Sequence, residues 1–129
     1  MAKNEVFKDA NYLSLPVPTG TLSGAPVRIG GLNAVATTNE GSVDIDESSP
    51  YNQAASSNKA GYASVALKGA FNLPVSTTTT LAVGAPVYII TASNTLTTTD
   101  NSGANPVFGH ALSAKGSTAN QLVIVRLYN

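Results

Sequence analysis

No window of about a dozen residues in this chain sets apolar side chains three and four apart behind a plausible cap and with few breakers. A helical core is therefore not expected, and strands are left as the means of burying apolar surface. The short stretches that remain do alternate. In "YASVALKG", Tyr62, Ser64, Ala66 and Lys68 fall on one face of a strand and Ala63, Val65 and Leu67 on the other. "QLVIVRLY" sets Leu122, Ile124 and Arg126 against Val123, Val125 and Leu127 in the same way. "NYLSLPV" ends at Pro16 and Pro18, which suit a strand edge. "APVRIGG" and "LNAVATT" (Ala25–Gly31 and Leu32–Thr38) predict two strands about a Gly30-Gly31 turn or bulge. "APVYIIT" and "NTLTTT" predict a second pair about Ala92-Ser93, and "NPVFGHALSA" one strand more. Gly69 predicts a tight reversal from "YASVALKG" into "AFNLPVS". About eight or nine short strands between Gly, Pro, Asn and Ser turns make an all-β fold, a small antiparallel β-barrel or sandwich. The best helix candidate, "SSPYNQAASSNKAG" (Ser48–Gly61), is apolar mostly through Ala, and a loop or one short turn fits it equally well.

One motif is written twice. "SGAPVRIGG" and "VGAPVYIIT" share Gly-Ala-Pro-Val followed one residue on by Ile. Aligned without a gap, Thr21–Thr38 and Leu81–Thr98 also match at Thr37/Thr97 and Thr38/Thr98. Gly24 and Gly84 supply backbone angles that other residues avoid. Pro26 and Pro86 open a strand where a missing N–H costs no ladder bond, and Val27 and Val87 begin the inward-facing set. The motif carries no charged or polar side chain with which to hold a ligand. It is read as a structural turn-then-strand unit, giving a pseudo-repeat of two hairpins.

The length of 129 residues suits one domain that buries about two-thirds of its unfolded surface. The expected organisation is an extended N-terminal arm, residues 1–11, and a single β domain, 12–129, containing a long polar loop at 39–59. With no cysteine there is neither a disulfide framework nor thiol chemistry. Charged residues make up 11% of the chain, seven basic and seven acidic, against about 25% in an ordinary domain. No excess of Lys or Arg is present to neutralise phosphates, so nucleic acid is not an expected partner. No secretory signal is expected from "MAKNEVFKDANYL", and no apolar run is long enough for a membrane-spanning helix. A sparsely charged, hydroxyl-rich surface has little self-repulsion and suits a protein that lives packed against others.

A search for chemistry finds none. The single histidine, His110, has no nucleophile motif beside it and cannot by itself make a metal site. Asp44, Asp46 and Glu47 open like a calcium loop, but that loop needs Gly where Ser49 stands and Glu where Ala55 stands. A solvated loop is the plainer reading. No phosphate-binding loop and no dinucleotide fingerprint occur. The expectation is a non-enzyme with no catalytic residues, no metal and no cofactor.

Taken in order, "MAKN", "SGAPVRIGGLNAVA", "ASVALKGAFNLPV", "GAPVYI", "VFGHALSA" and "VIVRLYN" resemble the DUF2190 family of small tailed-phage proteins described as capsid decoration or cement proteins. The stretch Asn39–Lys59 departs from that pattern, being longer and more polar. The resemblance implies a non-enzymatic virion protein, made in the host cytoplasm, that binds the outside of the capsid shell. It would clamp neighbouring major capsid protein subunits, commonly as a homotrimer. Another non-enzymatic virion module, on the tail or in a receptor-binding head, is the alternative. Within this frame the candidate partner-binding residues are Val6, Phe7 and Tyr12 of the arm. An extended arm can add a strand to a neighbour's sheet and anchor an aromatic side chain in a pocket. A frayed terminus is the competing reading of the same segment.

Overall fold

The computed structural model describes residues 3–4, 6, 9–41 and 58–129, and the described residues form nine strands and no helix. The strands are β1 (Tyr12–Pro16), β2 (Pro26–Ile29), β3 (Leu32–Ala36), β4 (Tyr62–Ala66), β5 (Ala70–Val75), β6 (Pro86–Ile90), β7 (Thr95–Thr97), β8 (Val107–Ala111) and β9 (Gln121–Leu127). Four make an antiparallel sheet in the order β1-β4-β3-β2, and five close a barrel in the order β5-β7-β6-β8-β9. All pairings between these strands are antiparallel except a parallel contact of Val75 on β5 with Leu96 on β7. The all-β expectation is met. Most of the Ser48–Gly61 helix candidate, and Asp44, Asp46 and Glu47 with it, lies outside the described residues.

Two sequence expectations need correction. Gly69 has φ +116, yet the chain does not turn back there into a hairpin. Both edges of β4 are already taken by β1 and β3, so the chain leaving β4 begins the other sheet, where β5 pairs with β9 and β7. The hairpins after the two Gly-Ala-Pro-Val segments also differ. Ile29 faces Leu32 across the Gly30-Gly31 turn, whereas Ile90 faces Thr95 across residues 91–94. The gapless match therefore ends at the turn, and Thr37/Thr97 and Thr38/Thr98 are not structural equivalents.

The true repeat is larger than two hairpins. The ladder β1-β4-β3-β2 recurs as β5-β9-β8-β6, in the same register up to a shift between Val87 and Tyr88 on β6. Ser14 faces Ser64 and Pro16 faces Tyr62, as Asn72 faces Ile124 and Pro74 faces Leu122. Pro26 faces Val35 and Val27 faces Ala34, as Pro86 faces His110 and Val87 faces Gly109. Ala36 faces Val65, as Ala111 faces Val125. Bonds beyond the strands repeat as well: Leu67 N donates to Asn11 O at 2.8 Å and Leu127 N to Gly69 O at 2.9 Å. The first half (β1–β4) and the second half (β5–β9) are two versions of one four-stranded unit. They differ by a long connection after β3 in the first and by β7 inserted after β6 in the second.

Each half has its own apolar cluster. Val27, Ala34 and Val65 centre the smaller one; Leu73, Val75, Val87, Ile89, Leu96, Phe108, Val123 and Val125 fill the larger. Val35 of β3 packs into the larger cluster, so the halves share apolar contact there, and beside it the seam is polar and fully bonded at Asn33. Its Nδ2 donates to Val107 O (2.9 Å) and Tyr128 O (2.7 Å), and its Oδ1 accepts from Arg28 Nη1 at 2.6 Å. Asn129 completes the seam, accepting from Asn33 N and donating to Asn33 O and Leu67 O.

Candidate interaction surfaces

The Gly-Ala-Pro-Val segments are built alike and serve the scaffold. Gly24 and Gly84 both sit at φ +89, a region that L side chains rarely adopt. Their N–H groups donate to Ala36 O and Ala111 O, each at 2.7 Å, and Ala25 N and Ala85 N donate to Leu22 O and Ala82 O, each at 3.1 Å. The segment ahead of each is tied down by equivalent residues of opposite charge. Glu40 accepts from Gly20 N through Oε2, while the buried Lys115 donates through Nζ to Thr79 O (3.2 Å) and Gly116 O (3.0 Å). A carboxylate caps an N–H in one half and an ammonium caps carbonyls in the other, so both charges are spent on backbone groups.

His110 stands at the ladder position that Val35 holds in the first half. Its ring meets Tyr128 edge-on, with centroids 5.7 Å apart. That is a packing contact. Among the described residues no three metal-ligating side chains come together.

Of the arm candidates, Val6 is 81% exposed and Tyr12 is 67% exposed at the start of edge strand β1, while Phe7 lies outside the described residues. The described arm residues on either side, Lys3, Asn4, Asp9 and Ala10, are exposed too.

A further surface becomes visible once the halves are compared. On the outer face of the second half Leu112, Leu122, Ile124 and Pro74 are all exposed. Register makes them contiguous: Leu122 lies opposite Pro74, and Leu112 N donates to Ile124 O at 2.7 Å. The same positions in the first half are Thr37, Tyr62, Ser64 and Pro16, and that face is polar and partly covered. Asn58 lies over it, accepting from Ser14 Oγ at 2.6 Å and donating to Thr38 Oγ1 at 3.0 Å, and Lys59 sits over the Tyr62 ring. Sequence reasoning missed this stripe, although β9 carried the signal: it is apolar on both faces, and a strand in a small barrel has only one face inside.

Residues 7–127 match the phage cement protein family, from within the arm to the last residue of β9. The chain belongs to that family. No curated protein and no solved structure gives a significant match. Membership makes this a structural protein of the phage capsid, in keeping with a scaffold in which Glu40 and Lys115 hold loops and Asn33 holds a seam.

Proposed function

We propose that this chain decorates the outer surface of a phage capsid as a homotrimer and stabilises contacts between neighbouring major capsid subunits. The observation that carries this reading is the extent of the family match, residues 7–127, which takes in every strand of both halves. Two features of the molecule support it. The outer stripe of Leu112, Leu122 and Ile124 is an apolar surface suited to a protein neighbour, and the net charge is zero, so copies do not repel one another. In this reading residues 12–129 act as one β domain, with the 39–59 loop attached. Residues 1–11 reach out as an arm, with Val6, Phe7 and Tyr12 as its contact residues. No catalytic step belongs to the reading.

The test is direct. Purified protein should co-sediment with expanded shells of the virus that encodes it and raise the temperature at which those shells disrupt. Sedimentation equilibrium should give three copies per particle in solution. Absence of binding to any expanded shell form would overturn the reading.

A further inference from the structure

The long connection after β3 does more than join two strands. It takes residues 37–61, where its counterpart after β8 takes only 112–120. Near its end the Asn58 amide ties the outer face of the first half together. Its Oδ1 accepts from Ser14 Oγ on β1 (2.6 Å), and its Nδ2 donates to Ser64 Oγ on β4 (3.3 Å) and to Thr38 Oγ1 just beyond β3 (3.0 Å). Thr38 Oγ1 also accepts from Ser64 N at 3.1 Å. Beside it Lys59 Nζ stands 4.3 Å from the centre of the Tyr62 ring.

The second half keeps the frame of this arrangement without its filling. Asn72 stands where Ser14 does, and Ser113 where Thr38 does. Ser113 Oγ accepts from Ile124 N at 3.0 Å, the same bond that Thr38 Oγ1 makes to Ser64 N. Between the two polar groups Ile124 replaces Ser64 and Leu122 replaces Tyr62. Among the described residues no side chain bridges Asn72 and Ser113. Ile124 is left 43% exposed, Leu122 56% and Leu112 48%. Val83 lengthens the stripe. It stands where Ser23 does, and Ser23 Oγ donates to the carbonyl of Thr37, the residue that Leu112 replaces. None of these side chains is charged, so a charged segment would lose its hydration here without gaining a partner.

The size and distribution of apolar surface argue against a second copy as the occupant. Half-exposed side chains in this number make a patch of a few hundred Å², short of the roughly 800 Å² per partner that a stable pair buries. Stripe against stripe gives a twofold dimer, which does not close a trimer. The other exposed large apolar side chains, Val6, Tyr12, Leu22, Leu32 and Tyr128, lie on five different segments and offer no matching row. A patch of this size suits one contact among several on a shell, where the others hold the copy in place.

We propose that the outer face of β5, β9 and β8 seats an uncharged segment of the major capsid protein, in the place that Asn58 and Lys59 cover in the other half. The segment sets apolar side chains on Leu112, Leu122 and Ile124. It also brings an Asn or Gln, whose carbonyl oxygen accepts from Asn72 Nδ2 and whose amide nitrogen donates to Ser113 Oγ, as Asn58 does with Ser14 and Thr38. The identity of the partner rests on the function proposed above; the site itself rests on the internal repeat.

The chain has no cysteine, so Ala70→Cys, exposed on β5 two residues from Asn72, gives a single attachment point for a photoactivatable benzophenone. Shells decorated with this protein are irradiated, and the cross-linked peptides are sequenced. The expected product joins residue 70 to an uncharged, Asn- or Gln-bearing segment of the capsid protein, and Ala104→Cys on the exposed β7–β8 connection does not give it. Cross-links to a second copy, cross-links to residues 42–57 or any others of the same chain, or none at all, overturn the proposal. In a second arm the stripe is given the residues of the first half, Leu112→Thr, Leu122→Tyr and Ile124→Ser together. The expected result is a folded protein whose shell binding is weakened at least about tenfold, the effect of about 1.4 kcal/mol. Asn72→Ala alters one exposed side chain and keeps the test open if the triple variant does not fold; its binding should weaken at least about threefold at an unchanged melting temperature. Undiminished binding by either folded variant overturns the proposal. Unmodified protein is sedimented with shells in parallel. If it fails to bind, the proposed function falls. If it binds and the variants behave as the unmodified protein does, only this seat falls.

Discussion

At the scale of single residues, the scaffold depends on backbone positions that favour glycine for two different reasons. A Cβ on Gly24 or Gly84 meets nothing within 4 Å, so the cost of Ala there is that of forcing φ +89 alone, about 1–2 kcal/mol. Gly109 is the opposite case. Its φ is ordinary, but a Cβ would overlap the Arg126 carbonyl oxygen on β9. Gly109→Ala should therefore push β8 from β9 and cost about 2–3 kcal/mol. Chemical denaturation of the three variants checks the order, with Gly109→Ala the least stable. Asn33 is the polar counterpart, buried at the seam with every side-chain bond made inside the protein. Asn33→Ala leaves the Val107 and Tyr128 carbonyls without that donor and should cost about 2–3 kcal/mol, read from the same denaturation curves. Leu122→Asp and Ile124→Asp alter exposed side chains. They should leave the melting temperature within a few degrees of the original while weakening retention on shells, measured by co-sedimentation.

At the scale of elements, β7 decides how rigid each half is. It supplies Leu96 to the larger core, and Leu96→Ala should cost about 2–5 kcal/mol. Among the described residues the first half has no such strand, and β1 and β2 are its two edges, beside half-buried core side chains. Backbone amides of β1 and β2 should then exchange with solvent faster than those of β8 and β9, by at least about tenfold in hydrogen-exchange experiments. Equal protection of the two halves would contradict this picture. The elements themselves were legible in the sequence because their signals are local. Alternation in "YASVALKG" and "QLVIVRLY", and Gly or Pro between runs, mark strands without reference to the rest of the chain. Partners were less legible. Gly69 reads as a hairpin turn locally, and only the occupation of both β4 edges sends the chain into another sheet.

At the scale of the whole molecule, charge and shape set the conditions of assembly. With zero net charge and an apolar outer stripe, shell binding should change less than about twofold between 0.1 and 0.5 M salt, as titration calorimetry would show. A steep salt dependence would point instead to a contact made by charges. Removal of residues 1–11 should leave the β domain folded by circular dichroism and weaken shell binding or trimer formation; unchanged binding would dismiss the arm as a contact element.

By itself the sequence determined the strand-rich class, the absence of a catalytic constellation in its motifs, and the two identical strand lead-ins at Gly24 and Gly84. Each of these depends on residues near one another in the chain. The extent of the repeat lay beyond it. Ser64-Val65-Ala66 and Ile124-Val125-Arg126 occupy equivalent ladder positions while sharing one residue, because a ladder position fixes side-chain direction and burial, and several residue types satisfy it. Only the tertiary structure decided that β7 closes the second half into a barrel while the described strands of the first form a sheet, since closure depends on which backbone edges meet across distant segments. The surface offered for recognition follows from a difference of the same kind: an apolar stripe on the half that lacks the long connection.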